Sequence, residues 1–342
     1  MPALWRDKLR PQVQSLYPGL LATLVTAIAA TFLGQHYGAP VMLFALLLGM
    51  VLNFLSQENA CRAGIELASR QILRIGIALL GLRITTHQLT TLGWEPVLMV
   101  ISGLVVTIGV GFITARAMGF NKFFGFLSGG AVGICGASAA MAISAVLPAH
   151  PLRERATLFT VICVSVFSTL AMIAYPLIAK AIGLNHVDAG IFLGATIHDV
   201  AQVVGAGYAM STPTGDVAVV VKLLRVGMLL PVIVVASWLT RRHGIAETGE
   251  TGERPPILPS FAIAFLVLVM INSTGFLPSA IIEAGSNTSR WCLVMAIAAI
   301  GMKTHLRDIV SVGWRPVALV FLETSVLAIF TLVWLHVKAG NG

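Results

Sequence analysis

The chain has 342 residues, of which 57% are hydrophobic and only 11% are charged. Soluble domains carry about 25% charged residues, so this composition excludes a soluble enzyme or binding domain and predicts an integral membrane protein. The net charge of +8 does not indicate a nucleic-acid partner, because the basic residues cluster in short loops between apolar segments. The four cysteines have no spacing typical of zinc ligands or a disulfide framework, and no cofactor is predicted.

The apolar segments predict an all-α polytopic bundle of ten or eleven hydrophobic segments, since about 20 apolar residues cross the hydrocarbon core. In chain order they are residues 19–36, 40–56, 71–86, 94–115, 124–147, 156–179, 188–210, 217–239, 259–277, 289–303 and 314–336. Arg6, Lys8 and Arg10 precede the first segment, and no small-residue cleavage site follows it. We therefore expect this segment to remain as an anchor, and residues 1–342 to form a single membrane domain.

The positions of the basic residues predict a cytoplasmic N-terminus. With this orientation most basic loops, such as residues 62–70, fall on the cytoplasmic side, as the positive-inside rule requires. Arg153 and Arg155 do not, if residues 124–147 cross the bilayer completely. They return to the cytoplasmic side if residues 124–147 and 188–210 are both re-entrant or otherwise broken.

Two distant segments of the chain resemble each other. Residues 77–100 and 297–320 share eight of 24 positions without a gap, including a Gly-Trp-x-Pro-Val core. Interfacial helix starts can converge on Trp and Pro, but the further matches favour duplication. The copies run in opposite directions in the predicted topology, which is typical of the inverted repeats of secondary transporters. The halves should meet near residues 150–187.

The segments 124–147 and 188–210 also resemble each other faintly, at a spacing of 64 residues. This spacing does not match the 220-residue offset of the first repeat. A rearranged order of the repeated elements would be needed to accommodate both.

The segment Phe126–Met141 contains four glycines within eight residues, and each costs about 1 kcal/mol relative to alanine in a helix. One interpretation is close helix packing through Gly129 and Gly133. The other is a helix broken near Cys135, which would expose N–H groups and a positive dipole end to an anion. The residues that we expect to bind this anion are Cys135, Gly136, Ala137 and Ser138.

The segment 188–210 has His198, Asp199 and Gln202 near its middle. An ionised Asp at a helix centre costs at least about 3 kcal/mol on insertion scales, so such residues serve a transport pathway or a buried structural interaction. His198 and Gln202 are four residues apart and would share one helix face. We predict that Gln202 contacts the substrate and that His198 and Asp199 carry a coupling ion.

Three further ionisable residues lie inside apolar segments. Lys222 and Arg225, three residues apart on one helix face, are predicted to bind the anion, with pairing to Asp199 as the alternative. Glu323 lies nine residues into the last segment. It is predicted to carry the coupling proton, with balancing of Lys222 or Arg225 as the alternative.

The motifs GICGASAAMA (133–142) and IHDVAQVVGAG (197–207), with the paired Gly-Trp-x-Pro-Val segments, resemble the YeiH-type family of bacterial inner-membrane proteins. Members of this family are described as sulfate exporters. The resemblance covers nearly the whole chain, and its central motifs include the candidate residues from Cys135 to Ser138 and from His198 to Gln202. It implies a multi-pass inner-membrane protein, similar to cation/proton antiporters and bile-acid-type symporters. Those folds have two inverted bundles, one with discontinuous helices that cross near the midplane.

These observations favour a secondary active transporter over an enzyme. The expected partners are the lipid bilayer, a small anion such as sulfate, a related sulfur oxyanion or a sulfonate, and a coupling proton or sodium ion. No nucleic acid is expected, and a homo-oligomer is compatible with the sequence. The chain contains no GxxxxGK[ST] motif for ATP, so an ion gradient is the expected energy source.

Two alternatives remain open at the level of sequence. The first is a cation/proton exchanger centred on Asp199, with Lys222 and Arg225 as counter-charges. The second is a membrane-embedded enzyme in which Cys135 is the nucleophile and His198 the base. The enzyme leaves the internal repeat unexplained.

Overall fold

The computed structural model describes residues 2–37, 40–85, 93–147, 152–242, 260–304 and 313–341. Within these ranges the chain is helical and contains no β-strand. Among the described residues, five helices are long and apolar enough to cross a membrane: Ser15–Tyr37, Glu95–Ala117, Arg153–Ala181, Thr212–Trp238 and Trp314–Lys338. Several shorter apolar helices accompany them. The predicted all-α polytopic membrane fold is confirmed.

The α-helices of the described ranges are numbered here in chain order. They are α1 (Pro2–Tyr37), α2 (Val41–Val51), α3 (Asn59–Leu67), α4 (Leu73–Leu80), α5 (Glu95–Ala117), α6 (Lys122–Gly133), α7 (Ala137–Val146), α8 (Arg153–Ala181), α9 (His186–Thr196), α10 (Val200–Met210), α11 (Thr212–Gly227), α12 (Leu229–Arg242), α13 (Ser260–Ser273), α14 (Ser279–Lys303) and α15 (Trp314–Asn341). The chain divides into two compact units. The first is Met1–Thr91, Val204–Met210 and Ser260–His305, and the second is Leu92–Val203, Ser211–Pro259 and Leu306–Gly342.

Two helices of the first unit begin earlier than hydropathy predicts. The predicted segment 71–86 is preceded by α3 and a π turn at Ala68–Ile72, so the expected loop at residues 62–70 is helical instead. Glu66 and Arg70 form an i, i+4 salt bridge of 3.0 Å there. Likewise α14 begins at Ser279, ten residues before the predicted start. Polar residues in these first turns lower the local hydropathy, which is why the sequence analysis placed both starts too late.

Small residues bring the helices of the first unit into close contact. A Cβ atom on Gly19 of α1 would lie 2.0 Å from the carbonyl oxygen of Cys61 in α3. A Cβ on Gly301 of α14 would lie 2.3 Å from the carbonyl oxygen of Leu46 in α2. Backbones at this separation have no room for a side chain, as is common between membrane helices.

In the second unit, α6 and α7 form a re-entrant hairpin, called hairpin 1. A Cβ on Gly130 of α6 would lie 2.5 Å from Cδ1 of Ile143 in α7, although the two residues are 13 positions apart. One cavity is lined both by Phe123, at the start of α6, and by Leu147, just after α7. A helix crossing the bilayer would separate these two ends by about 36 Å. The segment therefore turns back at residues 134–136 and returns to the side from which it entered.

Residues 186–211 form a second re-entrant segment, called hairpin 2, of which Val204–Met210 belong to the first unit. Nδ1 of His186, the first residue of α9, lies 3.0 Å from the hydroxyl of Ser211, which follows α10. The same nitrogen lies 3.4 Å from the hydroxyl of Thr214. The beginning and end of the segment are therefore neighbours, and the chain reverses at residues 197–199.

The two hairpins open at opposite ends of α8. This helix begins at Arg153, a few residues after hairpin 1, and ends at Ala181, five residues before hairpin 2. Its 29 residues span about 43 Å, which is longer than the hydrocarbon core. The prediction of two broken or re-entrant segments is confirmed. The crossing discontinuous helices implied by the family resemblance are not found, because each segment folds back on itself.

The helices α5 and α15, which contain the second parts of the repeated sequences, run antiparallel. Glu95, the first residue of α5, forms a 3.0 Å salt bridge with Lys338 near the end of α15. Gly93 and Gly313, which precede the two helices, both have positive φ angles, of 69° and 87°. Residues 86–92 and 305–312 of the repeat lie outside the described residues.

We propose that the second repeat is permuted. Hairpin 1 directly follows α5, whereas hairpin 2 precedes α15 in the chain although α15 packs against α9. One copy is then α5, hairpin 1 and α8, and the other is α15, hairpin 2 and α11–α12. This order accounts for the 220-residue offset between α5 and α15 and for the 64-residue offset between the two hairpins. The first copy then ends between Ala181 and His186.

Candidate functional site

The tips of the two hairpins meet inside the second unit. A Cβ atom on Gly136, at the tip of hairpin 1, would lie 3.3 Å from Cβ of His198, at the tip of hairpin 2. Gly136 has φ 67° and ψ −124°, a conformation that favours glycine. The predicted break near Cys135, with a new helix from Ala137, is confirmed. Close packing is observed too, because a Cβ on Gly129 would lie 2.8 Å from the carbonyl oxygen of Thr107.

Lys222 and Arg225 of α11 connect the two tips. Nζ of Lys222 donates to the carbonyl oxygens of Ile134 in hairpin 1 (2.8 Å) and Ile197 in hairpin 2 (2.9 Å). Arg225 donates through Nε to Gly133 (2.9 Å) and through Nη1 to Ile197 (3.2 Å). The remaining carbonyl acceptors of Arg225 are those of Val132 and Gly194.

These bonds use the carbonyl groups that helix ends leave without partners. Lys222 is fully buried and Arg225 is 1% exposed, and both lie where the negative dipole ends of α6 and α9 meet. Within the described residues neither cation forms a salt bridge with Asp199 or Glu323. The hydrogen bonds of both cations are instead directed at helix ends.

The N-terminus of α7 is only partly capped, since the Cys135 side chain interacts with the backbone N–H of Ala139. Its N-cap residue, Gly136, has no side chain, and the first intrahelical bond runs from the N–H of Ala140 to the carbonyl of Gly136. The preceding N–H groups, those of Ala137, Ser138 and Ala139, have no acceptor within the helix. Ser138 is exposed, Ala137 is half-buried and Cys135 is buried.

The N-terminus of α10 differs, because it carries its own carboxylate. Oδ1 of Asp199 accepts a 2.8 Å hydrogen bond from the N–H of Ala201, and the N–H of Asp199 donates to the hydroxyl of Ser168 (2.9 Å). Asp199 thus caps α10, a favourable position for a negative charge. Nε2 of Gln202 donates to the Thr169 hydroxyl (2.8 Å), while its Oε1 is buried without a partner in the described residues.

His198 lies in the turn before α10, so the predicted helical face shared by His198 and Gln202 does not exist. Its Nε2 lies 2.9 Å from the hydroxyl of Thr324 in α15, and its Nδ1 is buried without a partner in the described part of the chain. Next to Thr324, Glu323 is fully buried. Oε1 of Glu323 accepts a 2.7 Å hydrogen bond from Ser128 of α6, whereas Oε2 has no described partner.

An ionised carboxylate is costly to bury without a cation, and among the described residues Glu323 forms no salt bridge. The carboxyl group lies beside α5 as well, since a Cβ on Gly111 would be 2.6 Å from its Oε1. Glu323 therefore joins α15 to hairpin 1, while the adjacent Thr324 joins α15 to hairpin 2. One turn of α15 therefore contacts both hairpins, through a carboxyl group and a hydroxyl group.

The sequence analysis missed several hydroxyl groups of this site. Ser168 and Thr169 of α8 hold Asp199 and Gln202, and Thr324 contacts His198. Hydroxyl residues are common in membrane helices, where their side chains also bond to the preceding turn. Nothing local in the sequence distinguishes these three. These hydroxyl groups join the site because the chain reversal in hairpin 2 places His198, Asp199 and Gln202 next to them.

Replacing Gly136 by alanine is expected to lower the free energy of unfolding by about 1–3 kcal/mol, because an L-residue is strained at this φ angle. The added methyl group would also press against His198. Thermal unfolding in detergent measures the effect. Gly109→Ala is the matched control, since a Cβ there meets nothing within 4 Å. Equal melting temperatures for the two variants would contradict the expectation.

A family model described as conserved hypothetical protein 698 matches residues 18–320. A UPF0324 membrane protein from Chlorobaculum tepidum is 52% identical over 323 residues, covering 93% of this chain and 90% of the relative. The chain belongs to the UPF0324 family. A UPF0324 relative from Rhizobium meliloti is 49% identical, covering 98% of this chain and 99% of its own. The UPF0324 membrane protein TauZ from Paracoccus denitrificans is 46% identical, with 96% and 97% coverage.

The UPF0324 assignment agrees with the YeiH-type resemblance found from the motifs. The UPF0324 relatives are bacterial membrane proteins. The long apolar helices of this chain agree with that description. The names of these relatives do not describe an enzymatic activity.

Proposed function

We propose that the protein is a secondary active transporter of a small anion, with sulfate, a related sulfur oxyanion or a small sulfonate as the substrate class. The observation that carries this proposal is the meeting of two re-entrant hairpins, which open at opposite ends of α8 and present polar groups at their tips. Broken helices at the membrane midplane form the substrate sites of many transporters.

The partly capped start of α7 is the proposed anion site. The N–H groups of Ala137 and Ser138 and the positive end of the helix dipole favour a negative charge there. Buried His198 packs against Gly136 and supports this position by placing a polar side chain next to the start of α7. The site is asymmetric, since Asp199 already supplies a carboxylate to the equivalent end of α10.

The contacts of Lys222 and Arg225 support a different role from the predicted one. Both side chains donate to helix carbonyls from a buried position. They would hold the hairpin tips together and add positive potential near the anion, without direct contact to it.

Glu323 is the proposed carrier of the coupling proton. It is buried beside hairpin 1, has no described cationic partner and retains one unpaired oxygen. His198 is the second candidate, since Thr324 places it next to Glu323 along α15. Asp199 is less suited to this role because its carboxylate caps α10.

The two alternatives receive less support. A cation/proton exchanger requires an acidic site for the cation, but Asp199 is engaged in capping and the described residues contain no cluster of three His, Cys, Asp or Glu side chains. For a Cys135 enzyme, the described contacts pair His198 with Thr324 and not with the thiol.

We also propose that hairpin 1 opens to the cytoplasm of the bacterial inner membrane, because Arg153 and Arg155 follow it.

Proteoliposomes test the proposal directly. We expect uptake of labelled sulfate, sulfite or methanesulfonate to depend on an imposed proton or sodium gradient and to vanish when the gradient is collapsed. Protein-free vesicles are the control. Gradient-dependent flux of cations with none of anions would support the exchanger instead.

Replacing Ser138 by aspartate is expected to separate stability from transport. The new carboxylate would occupy the N-terminus of α7 and raise stability by about 0.3–1 kcal/mol, while excluding the substrate anion. Anion uptake should therefore fall to the level of protein-free vesicles although the protein remains folded. Ser138→Ala, which leaves the N–H groups free, should retain uptake. Undiminished transport by Ser138→Asp would place the anion elsewhere.

A further inference from the structure

A cavity of about 450 Å³ lies at the open end of hairpin 1, within the second unit. It is bordered by the start of α6, the residues that follow α7, and the starts of α8 and α15. Its walls are mainly apolar and aromatic, with Phe124, Leu127, Phe159 and Trp314 among them. The volume is typical of a site for a small ligand or part of a lipid.

The described lining of this cavity contains basic residues and no acidic one. Arg153, Arg155 and Arg315 all contribute to it. Arg153 donates to the carbonyl of Leu147 at 3.4 Å. Arg155 and Arg315 are exposed, and among the described residues they form no salt bridge or hydrogen bond. Their guanidinium carbons lie 5.1 Å from the Phe159 ring and 5.7 Å from the Trp314 ring.

This combination matches an anionic phospholipid. An apolar space suits an acyl chain, and guanidinium groups at its edge bind phosphate through paired hydrogen bonds. Trp314 is 71% exposed, as is usual for tryptophan at a membrane interface. Basic pockets between membrane helices commonly hold lipid headgroups. A free inorganic anion would gain nothing from the aromatic walls.

We infer that this cavity binds one anionic phospholipid, with an acyl chain against the aromatic walls and the phosphate at Arg155 and Arg315. The ligand would touch both ends of hairpin 1 and the beginning of α15, the helix that carries Glu323. Lipid binding would therefore stabilise the open end of the hairpin. The inference does not depend on which substrate the protein transports.

Native mass spectrometry of the purified chain tests this inference, with phosphatidylglycerol and phosphatidylcholine of equal chain length as probes. We expect one phosphatidylglycerol to be retained in preference to phosphatidylcholine. The double variant Arg155→Gln/Arg315→Gln should weaken this binding about 25-fold, since each arginine contributes about fivefold. Arg116→Gln, at an exposed arginine outside the cavity, should bind as the wild type does.

A second variant tests the role of the apolar walls of the cavity in lipid binding. Ala156→Leu narrows the cavity without changing its charge and should weaken phosphatidylglycerol binding while the melting temperature is retained. Three results would overturn the inference: equal binding of the two lipids, unchanged binding by the double arginine variant, or displacement of the lipid by excess sulfate. The last result would identify the cavity as an entrance for the free anion.

Discussion

Replacing Arg225 by methionine is expected to destabilise the second unit strongly. The guanidinium group donates to carbonyl oxygens of both hairpins, and methionine offers no donor. Each buried carbonyl left without a partner costs about 1–3 kcal/mol. The carbonyl of Ile197 still accepts from Lys222, so three of the four carbonyls lose their partner. Their loss removes at least about 3 kcal/mol from a total stability of about 5–15 kcal/mol. The melting temperature in detergent should fall by roughly 6–12 °C or the protein should not be recovered.

Two further variants separate the charge of Arg225 from its geometry. Arg225→Lys keeps a positive charge near the helix ends but cannot reach the same set of carbonyls, so we expect an intermediate melting temperature. Arg116→Gln removes an exposed arginine from the same unit and should change the melting temperature by less than about 1 °C, as is usual for surface positions. If Arg225→Met and Arg116→Gln have the same melting temperature, the guanidinium group of Arg225 does not hold the hairpins together.

Replacing Glu323 by glutamine is expected to uncouple transport from the gradient while leaving the protein folded. The amide oxygen of glutamine can still accept the hydrogen bond from Ser128, and the side chain keeps its size. Glutamine cannot release or bind a proton. Uptake driven by a proton gradient should fall to the level of protein-free vesicles, whereas exchange of labelled for unlabelled substrate at equal pH should continue.

The exchange assay distinguishes coupling from substrate binding. Loss of both uptake and exchange would show that Glu323 acts in the substrate site or in folding, and normal gradient-driven uptake would remove it from the coupling step. Glu283→Gln changes an exposed carboxylate of α14 in the same chemical way and is the matched control. Thermal unfolding of both variants establishes that the comparison is between folded proteins.

The sequence predicted the features that depend on hydropathy and on local backbone preferences. The apolar segments located the membrane helices, and the glycines around Gly133 located a break that begins a new helix at Ala137. The positions of Arg153 and Arg155 indicated re-entrant segments. Each of these signals lies within one stretch of chain, so no tertiary contact was needed.

The contacts between distant elements could not be predicted in the same way. Lys222 and Arg225 were expected to bind an anion or pair with Asp199, because sequence spacing does not reveal the carbonyl groups of two hairpins. The helical relation between His198 and Gln202 failed because the chain reverses just before Val200. The bond between Ser128 and Glu323 joins positions 195 residues apart, which no local pattern reveals.

The late position of α15 in the chain has a consequence for synthesis in the cell. Hairpin 2 leaves the ribosome more than 100 residues before α15, the helix against which α9 packs. At about 5–20 residues per second, the delay is on the order of ten seconds. During this interval His198 lacks its Thr324 partner and hairpin 1 lacks Glu323. The two polar hairpin tips therefore remain without their α15 partners until the last helix is inserted, and the insertion machinery or a chaperone must shield them from lipid during this time.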